Sequence, residues 1–402
     1  MNLNGFYKHK KVLITGHTGF KGSWLTEWLL LMGARVSGFA LPTATEPALF
    51  DQLGLGGRCD HRLGDIRDRA LVRRVIHDVK PDVIFHLAAQ PLVRLSYAQP
   101  LETYETNVIG TAHVLDALRD ADWPCAAVMV TTDKVYENRE QVHAYREDEP
   151  LGGYDPYSSS KACAELVIQT YRNAYFNPDK IRVQGSACLL SHVLHPLVGV
   201  ASARAGNVIG GGDWAQDRIV PDCIRALAKG EVISVRNPRA TRPWQHVLEP
   251  LSGYLLLGMR LHEALCWMAD IGWQKAAESG QQRKMLPQSE SALSPPLSVL
   301  CSAFNFGPDN ASNRPVRDLV DEIIKHWPGR WDDRSDPHAL HEASLLNLCT
   351  DKAKTVLGWK PRWGFEMTLK ETVSWYRTVK NKGADAASVL TRKQIADYTG
   401  QG

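Results

Sequence analysis

Two textures alternate along the chain: short apolar runs, and longer stretches with an apolar residue every three or four positions. Residues 12–14, Val-Leu-Ile, form a run of strand length, and 23–32 carry Trp24, Leu25, Trp28, Leu29 and Met32 on one helical face. Between them Gly16, Gly19 and Gly22 mark a turn. Residues 35–39 read as strand, 69–79 as helix stopped by Pro81, and 83–87 as strand again. A helix over 97–120, a strand at 126–130 and a helix over 157–176 continue the series. Strands alternating with helices predict an α/β fold, a doubly wound parallel sheet of Rossmann type.

After residue 213 the pattern shifts to shorter helices, proline-punctuated turns and connections rich in Trp and Arg. This predicts a cofactor-binding unit over 1–212, with a later segment at about 240–275 packing back on it, and a smaller substrate-binding lobe formed mainly by 213–402. Residues 278–296, rich in Ser, Gln and Pro, read as an exposed insert.

Composition narrows the partners. Across 402 residues, Lys+Arg is 47 against Asp+Glu 44, and no sustained block of like charge exists to track a phosphate backbone, so nucleic acid is not expected. The most apolar stretch, 185–205, is broken by His192, His195, Pro196 and Arg204, which suits a buried strand and loop and not a membrane span. The start is polar and basic without a signal-peptide core. The eight cysteines stand singly with no CxxC pair, so no metal cage and no disulfide framework is expected, and a reducing cytoplasm fits.

The chemistry gathers at strand ends. The turn Gly16-His17-Thr18-Gly19-Phe20-Lys21-Gly22 follows a strand and opens a helix, the context in which absent side chains let backbone approach a pyrophosphate. The ribose-binding acid expected about 20 residues later is missing, because Gly38-Phe39-Ala40-Leu41 occupies that strand end, so NAD and NADP stay undivided here. Asp65 and Ile66 follow the next strand, where an acid could meet an adenine amino group. Tyr157 and Lys161, at i and i+4, share one helix face, where an ammonium can lower a phenol below its usual value near 10. Thr131-Thr132-Asp133-Lys134 ends the preceding strand.

With these residues in place, the chain resembles the extended short-chain dehydrogenase/reductase family through its glycine turn, His86-Leu87-Ala88-Ala89 and the Tyr157/Lys161 pair. It is similar in particular to the nucleotide-sugar 4,6-dehydratase branch acting on CDP-glucose, through Thr131-Thr132-Asp133-Lys134, Tyr145-Arg146-Glu147, Gly152 to Tyr157, Arg204 to Trp214 and Arg242 to Val247. The likeness runs from Lys11 almost to the C-terminus, with connections at 186–200 and before Phe304 that read as longer than the family's.

The resemblance implies bound NAD, held by the glycine turn, by Asp65 and Ile66, by Leu87, Ala88 and Ala89, and by Tyr157 and Lys161. It implies dehydration of a nucleotide sugar, CDP-glucose, for surface deoxysugars such as those of lipopolysaccharide O-antigen. Tyr157 would take the proton of the carbon 4 hydroxyl, with Thr132 polarising that oxygen. Asp133 would be the acid at carbon 6, which requires a carboxyl raised by burial, and Lys134 the base at carbon 5. Asn207, Arg218, Arg242 and His246 would bind substrate, and a homodimer or homotetramer would build on the helices over 97–120 and 157–176. A 4-epimerase shares the turn and the Tyr/Lys pair but needs no Asp133/Lys134 pair, a 4,6-dehydratase for another nucleotide sugar is a further alternative, and a non-catalytic cofactor-binding protein could dispense with Tyr157 or Lys161.

Overall fold

The computed structural model describes residues 3–140, 143–178, 198–278, 295–336 and 345–400. Seven strands form one parallel sheet: β1 Lys11–Thr15, β2 Arg35–Ala40, β3 Asp60–Leu63, β4 Val83–His86, β5 Cys125–Val130, β6 Val198–Ala205 and β7 Ala303–Phe306, in the order β7-β6-β5-β4-β1-β2-β3. Every residue of β4 and β5 is buried, as expected when helices cover both faces of a parallel sheet. The chain runs outward from β1 to β3 and then returns to β4 on the other side of β1. The strand order therefore reverses between the carboxyl ends of β1 and β4, where such sheets form their ligand crevice.

Local chemistry explains most helix boundaries. Asp68 caps α2 (Arg69–Val79; α1 is Phe20–Leu31) by accepting from Leu71 N, and Val72, Val75, Ile76 and Val79 form its buried stripe. The single helix expected over 97–120 is instead broken into Val93–Ala98, Pro100–Tyr104, a wide turn at Glu105–Ile109, and α3, Gly110–Leu118. Pro100 lacks an N–H and its ring crowds the preceding turn, so it can only start a helix there. α4, Pro156–Ala174, begins on Asp155, which accepts from Ser158 N.

The later half of the chain folds back on the sheet twice. β7 pairs with β6, so the sheet draws its last strand from beyond the 1–212 segment. α5, Leu248–Glu278, lies across the sheet: a Cβ at Gly258 would sit 3.1 Å from both Phe85 and Val83, and Tyr7 Oη donates to Leu255 O at 2.7 Å. The C-terminal helices α6 (Phe365–Lys382) and α7 (Asp385–Thr399) close over α1, where the fully buried Glu27 takes Arg58 from one side and Arg392 from the other. The insert expected at 278–296 and the connection at 186–200 fall largely outside the described residues. Among the described residues no helix is long and apolar enough to cross a membrane, and no group of His, Cys, Asp and Glu is placed to hold a metal ion.

Candidate active site

The floor of the crevice is the glycine turn. Gly16 has φ +77°, its N–H donates to Phe39 O, and a Cβ there would press on Ala88 N at 2.7 Å, so the turn lies directly on the end of β4. Gly22 is equally confined, because a Cβ would overlap Gly16 O. Gly19 caps α1 without any side-chain hydrogen bond, which leaves the first-turn N–H groups of Phe20, Lys21 and Gly22 to a ligand at the positive end of the helix. Thr18 Oγ1 donates to Leu41 O, tying the turn to the end of β2. His86 bridges the floor: its ring nitrogens meet Thr15 Oγ1 at 2.7 Å and Thr111 Oγ1 at 3.0 Å, and Ala88 N donates to Thr15 Oγ1. Leu87 N donates to Thr15 O, so Leu87, Ala88 and Ala89 continue β4 along the turn. Burial and the Lys161 charge push His86 down to about 3, which keeps it neutral.

The missing acid at the end of β2 has a steric cause. A Cβ at Gly38 would run into the His17 ring, which is itself fixed by a 2.7 Å hydrogen bond to His61 and by the edge of Phe50. Asp65 is engaged by Arg67 through its N–H, Nε and Nη2, and that partner holds the carboxyl below its usual range; Ile66 is buried under Gly110.

α4 and the end of β5 form the wall. Tyr157, half-buried, and Lys161, buried, lie one turn apart on α4, facing Thr132 and Asp133. Lys161 Nζ donates to Val130 O at 3.0 Å, and burial lowers its ammonium to about 8. Burial raises the Tyr157 phenol to about 12, while a hydrogen bond with Thr132 and the charge of Arg218 pull it down. The lowering expected from Lys161 is not seen, because that ammonium is turned to the Val130 carbonyl. Asp133 is buried; Thr132 Oγ1 donates to its Oδ1 at 3.0 Å, and Oδ2 has no partner. Burial pushes the Asp133 carboxyl up, against the opposing pull of Lys134, Thr132 and Arg242. Room for it comes from Gly206, where any Cβ would overlap the carboxyl, and Gly206 O is held by Gln245 Nε2 at 3.2 Å. Lys134 is half-buried beside Asp133, its backbone N–H turned to Thr132 Oγ1.

Of the residues expected to bind substrate, two cations reach this wall. Arg242 is buried and acts on Asp133, and Arg218, paired with Asp213 at 2.9 Å, acts on Tyr157. Asn207 is half-buried, its carbonyl accepting from Gln245 N. His246 stands apart: its ring packs against Trp24 and Trp363, Nδ1 accepts from Leu248 N, Nε2 has no partner, and burial lowers it to about 3.

Sequence reasoning placed Lys21 in the turn but missed its ammonium. That group enters the site, donates to Tyr254 Oη at 2.9 Å, and is lowered to about 7 by burial, then by Arg218 and Lys161. Tyr254, from α5, carried no local signal at all. Glu165 was also missed, although it repeats the spacing of Tyr157 and Lys161 one turn further on.

This fold and site define an extended short-chain dehydrogenase/reductase. The family description GDP-mannose 4,6 dehydratase matches residues 13–181. Over 397 residues the chain is 43% identical to the CDP-glucose 4,6-dehydratase of Salmonella typhimurium, covering 98% of this chain and 97% of that protein. The chain belongs to the same family, the nucleotide-sugar 4,6-dehydratases. The fold is shared with a dTDP-glucose 4,6-dehydratase of Streptomyces venezuelae solved with NAD and TYD bound (TM-score 0.66, 22% identity, 92% of this chain and 98% of that one). It is shared equally with a UDP-glucose 4-epimerase of Thermotoga maritima (TM-score 0.64, 19% identity, 92% and 99%), so the fold alone does not separate the two reactions.

Proposed function

We propose that this chain is an NAD-dependent hydro-lyase that converts CDP-glucose to CDP-4-dehydro-6-deoxyglucose. Asp133 carries the dehydratase reading: a buried carboxyl, raised by its setting and with one oxygen unpartnered, stands beside Tyr157 at a strand end. An epimerase has no use for that acid. The choice of CDP-glucose rests on the extent of the likeness to the Salmonella protein.

The cofactor fits the residues present. The uncapped start of α1 suits its pyrophosphate, the cradle of Gly16, Gly19 and Gly22 its close approach, and Lys161 its ribose. Leu87, Ala88 and Ala89 run beside that cradle, and Asp65 with Ile66 would hold its adenine. NAD held there supplies a positively charged ring that accepts hydride from carbon 4 and gives it back at carbon 6. Tyr157 takes the proton of the carbon 4 hydroxyl, Thr132 hydrogen-bonds that oxygen, and Arg218 favours the phenolate as it forms. Once carbon 4 is a ketone, Lys134 removes the acidified proton at carbon 5, and it returns a proton there when hydride comes back to carbon 6. Asp133 gives its proton to the carbon 6 hydroxyl, which leaves as water. Arg218, Arg242 and Asn207 bind the diphosphate and sugar. We place the reaction in the cytoplasm, in deoxysugar synthesis for surface polysaccharide, with residues 1–212 as the cofactor unit and 213–402 mainly binding the nucleotide sugar.

Incubating the chain with NAD and, separately, CDP-glucose, dTDP-glucose, UDP-glucose and GDP-mannose tests the substrate reading. CDP-glucose is expected to give a 4-keto product at least about 10² times faster than the others, the low end of the discrimination that pocket contacts give between related substrates. Faster turnover of any of the other three transfers the assignment to that sugar nucleotide.

The surface formed by Pro100–Tyr104, the wide turn and α4 supports a dimer. Leu101 is 73% exposed, Leu166 52% and Ile109 49%, around a groove lined by Leu101, Tyr104, Val108, Ile109 and Cys163 with Glu105 as its one charged residue. An apolar face of this kind fits a second copy of the chain packed helix against helix. Sedimentation at micromolar concentration is expected to show a dimer or tetramer; a monomer alone would remove this assembly.

A further inference from the structure

Directly under the site lies a buried polar cluster that the reaction above does not use. Glu165 sits one turn beyond Lys161 on α4 and is 3% exposed. Its carboxylate receives Thr131 Oγ1 at the end of β5, Ser202 Oγ from β6 at 2.8 Å, and Arg204 Nη2, also from β6, at 2.9 Å. Arg204 continues the network through Nη1 to Tyr136 Oη at 2.9 Å and to Glu147 O at 3.0 Å. Tyr136 donates in turn to Asn305 Oδ1 on β7. One carboxylate thus joins the helix bearing Tyr157 and Lys161, the strand end bearing Thr132 and Asp133, and β6, and through Arg204 and Tyr136 the network reaches β7.

Stability alone gives little reason for such an arrangement. A buried ion pair is on average no better than an apolar pair of the same volume, because desolvation offsets the Coulomb gain. What an apolar pair could not supply is a fixed negative charge near the Lys161 ammonium. Resting on the dehydratase reading, we propose that Glu165, held by Arg204, is a positioning residue for the reaction: it locks α4 to the ends of β5 and β6 and keeps Lys161 charged while it holds the cofactor ribose.

The surroundings of Lys161 agree. The other titratable groups acting around it are His86 on β4, which is neutral, Lys21 on α1, a like charge, and Tyr157 on α4, a neutral phenol. Burial lowers Lys161 and Glu165 opposes that lowering. Glu165 itself stays below the usual carboxyl range despite burial, because Arg204, Thr131 and Ser202 all favour its charged form.

The test is trace acetylation of the full-length chain, without cofactor, by acetic anhydride across pH, with peptide mass spectrometry reporting the midpoint at Lys161. The wild-type midpoint is expected near about 8. In Glu165→Gln it should fall by about one pH unit, the lower end of what a close opposite charge contributes. Glu165→Asp, which keeps the charge, should restore it. With CDP-glucose and NAD at a pH above the wild-type midpoint, kcat of Glu165→Gln should fall about 10-fold, one pH unit being a tenfold change in charged fraction, with KM for the sugar nucleotide unchanged. If Glu165→Gln does not fold, Glu165→Gln/Arg204→Met removes both charges together, and because the nearer Glu165 outweighs the Arg204 charge that opposes it, the midpoint should still fall, by less than in the single variant. A folded variant of either kind with the wild-type midpoint overturns the proposal. A shifted midpoint in a protein that does not turn over CDP-glucose leaves Glu165's action on Lys161 standing and removes the substrate reading instead.

Discussion

Tyr157→Phe is expected to slow turnover of CDP-glucose by about 10² to 10⁴, the range for loss of a positioned general base. The oxygen it removes is the one hydrogen-bonded with Thr132 and acted on by Arg218, and the Ser158 hydroxyl, also one turn from Lys161, is turned away to Asp155 Oδ2 at 2.6 Å. The ring itself stays, so the packing of α4 against the site should survive, and the thermal unfolding midpoint should match wild type. Steady-state rates with NAD in excess check the first expectation and thermal denaturation the second. Near-normal turnover in the folded variant would take Tyr157 out of the chemistry.

Asp133→Asn tests the step that distinguishes a dehydratase. The amide has the shape of the carboxyl, so it fits the space that Gly206 leaves and can still accept from Thr132 through its oxygen. It has no proton to give to a leaving hydroxyl. Formation of the 6-deoxy product should fall by about 10² to 10⁴, while CDP-glucose binds with a near-wild-type Kd, because Arg218 and Arg242 are untouched. Product formation followed by mass spectrometry and binding followed by calorimetry separate the two. Turnover close to wild type would show that another group protonates the carbon 6 hydroxyl.

The parts of this site that are local in sequence could be read from it. The strand, glycine turn and helix at 12–32 and the Tyr157/Lys161 spacing each depend on residues within one or two turns of one another. The helix break at Pro100 was also present in the sequence, but the apolar spacing on either side spans it and suggests one helix. Contacts across long separations left no trace: β7 joins β6 from about a hundred residues away, Tyr254 reaches Lys21 from α5, and Arg204 on β6 meets Glu165 on α4. The absence of an acid at the end of β2 was visible, yet its reason, the His17 ring filling the space over Gly38, was not. His246 shows the converse. Its motif is shared with the family, but two tryptophans enclose its ring, so the residue type alone misleads about exposure.

In the proposed reaction hydride leaves carbon 4 and returns to carbon 6 of the same molecule. CDP-glucose carrying deuterium at carbon 4, turned over by the chain with NAD in ordinary water, is therefore expected to give a 4-keto-6-deoxy product with the deuterium on carbon 6. Deuterium remaining on carbon 4, with the configuration there inverted, would contradict the account and make the chain an epimerase.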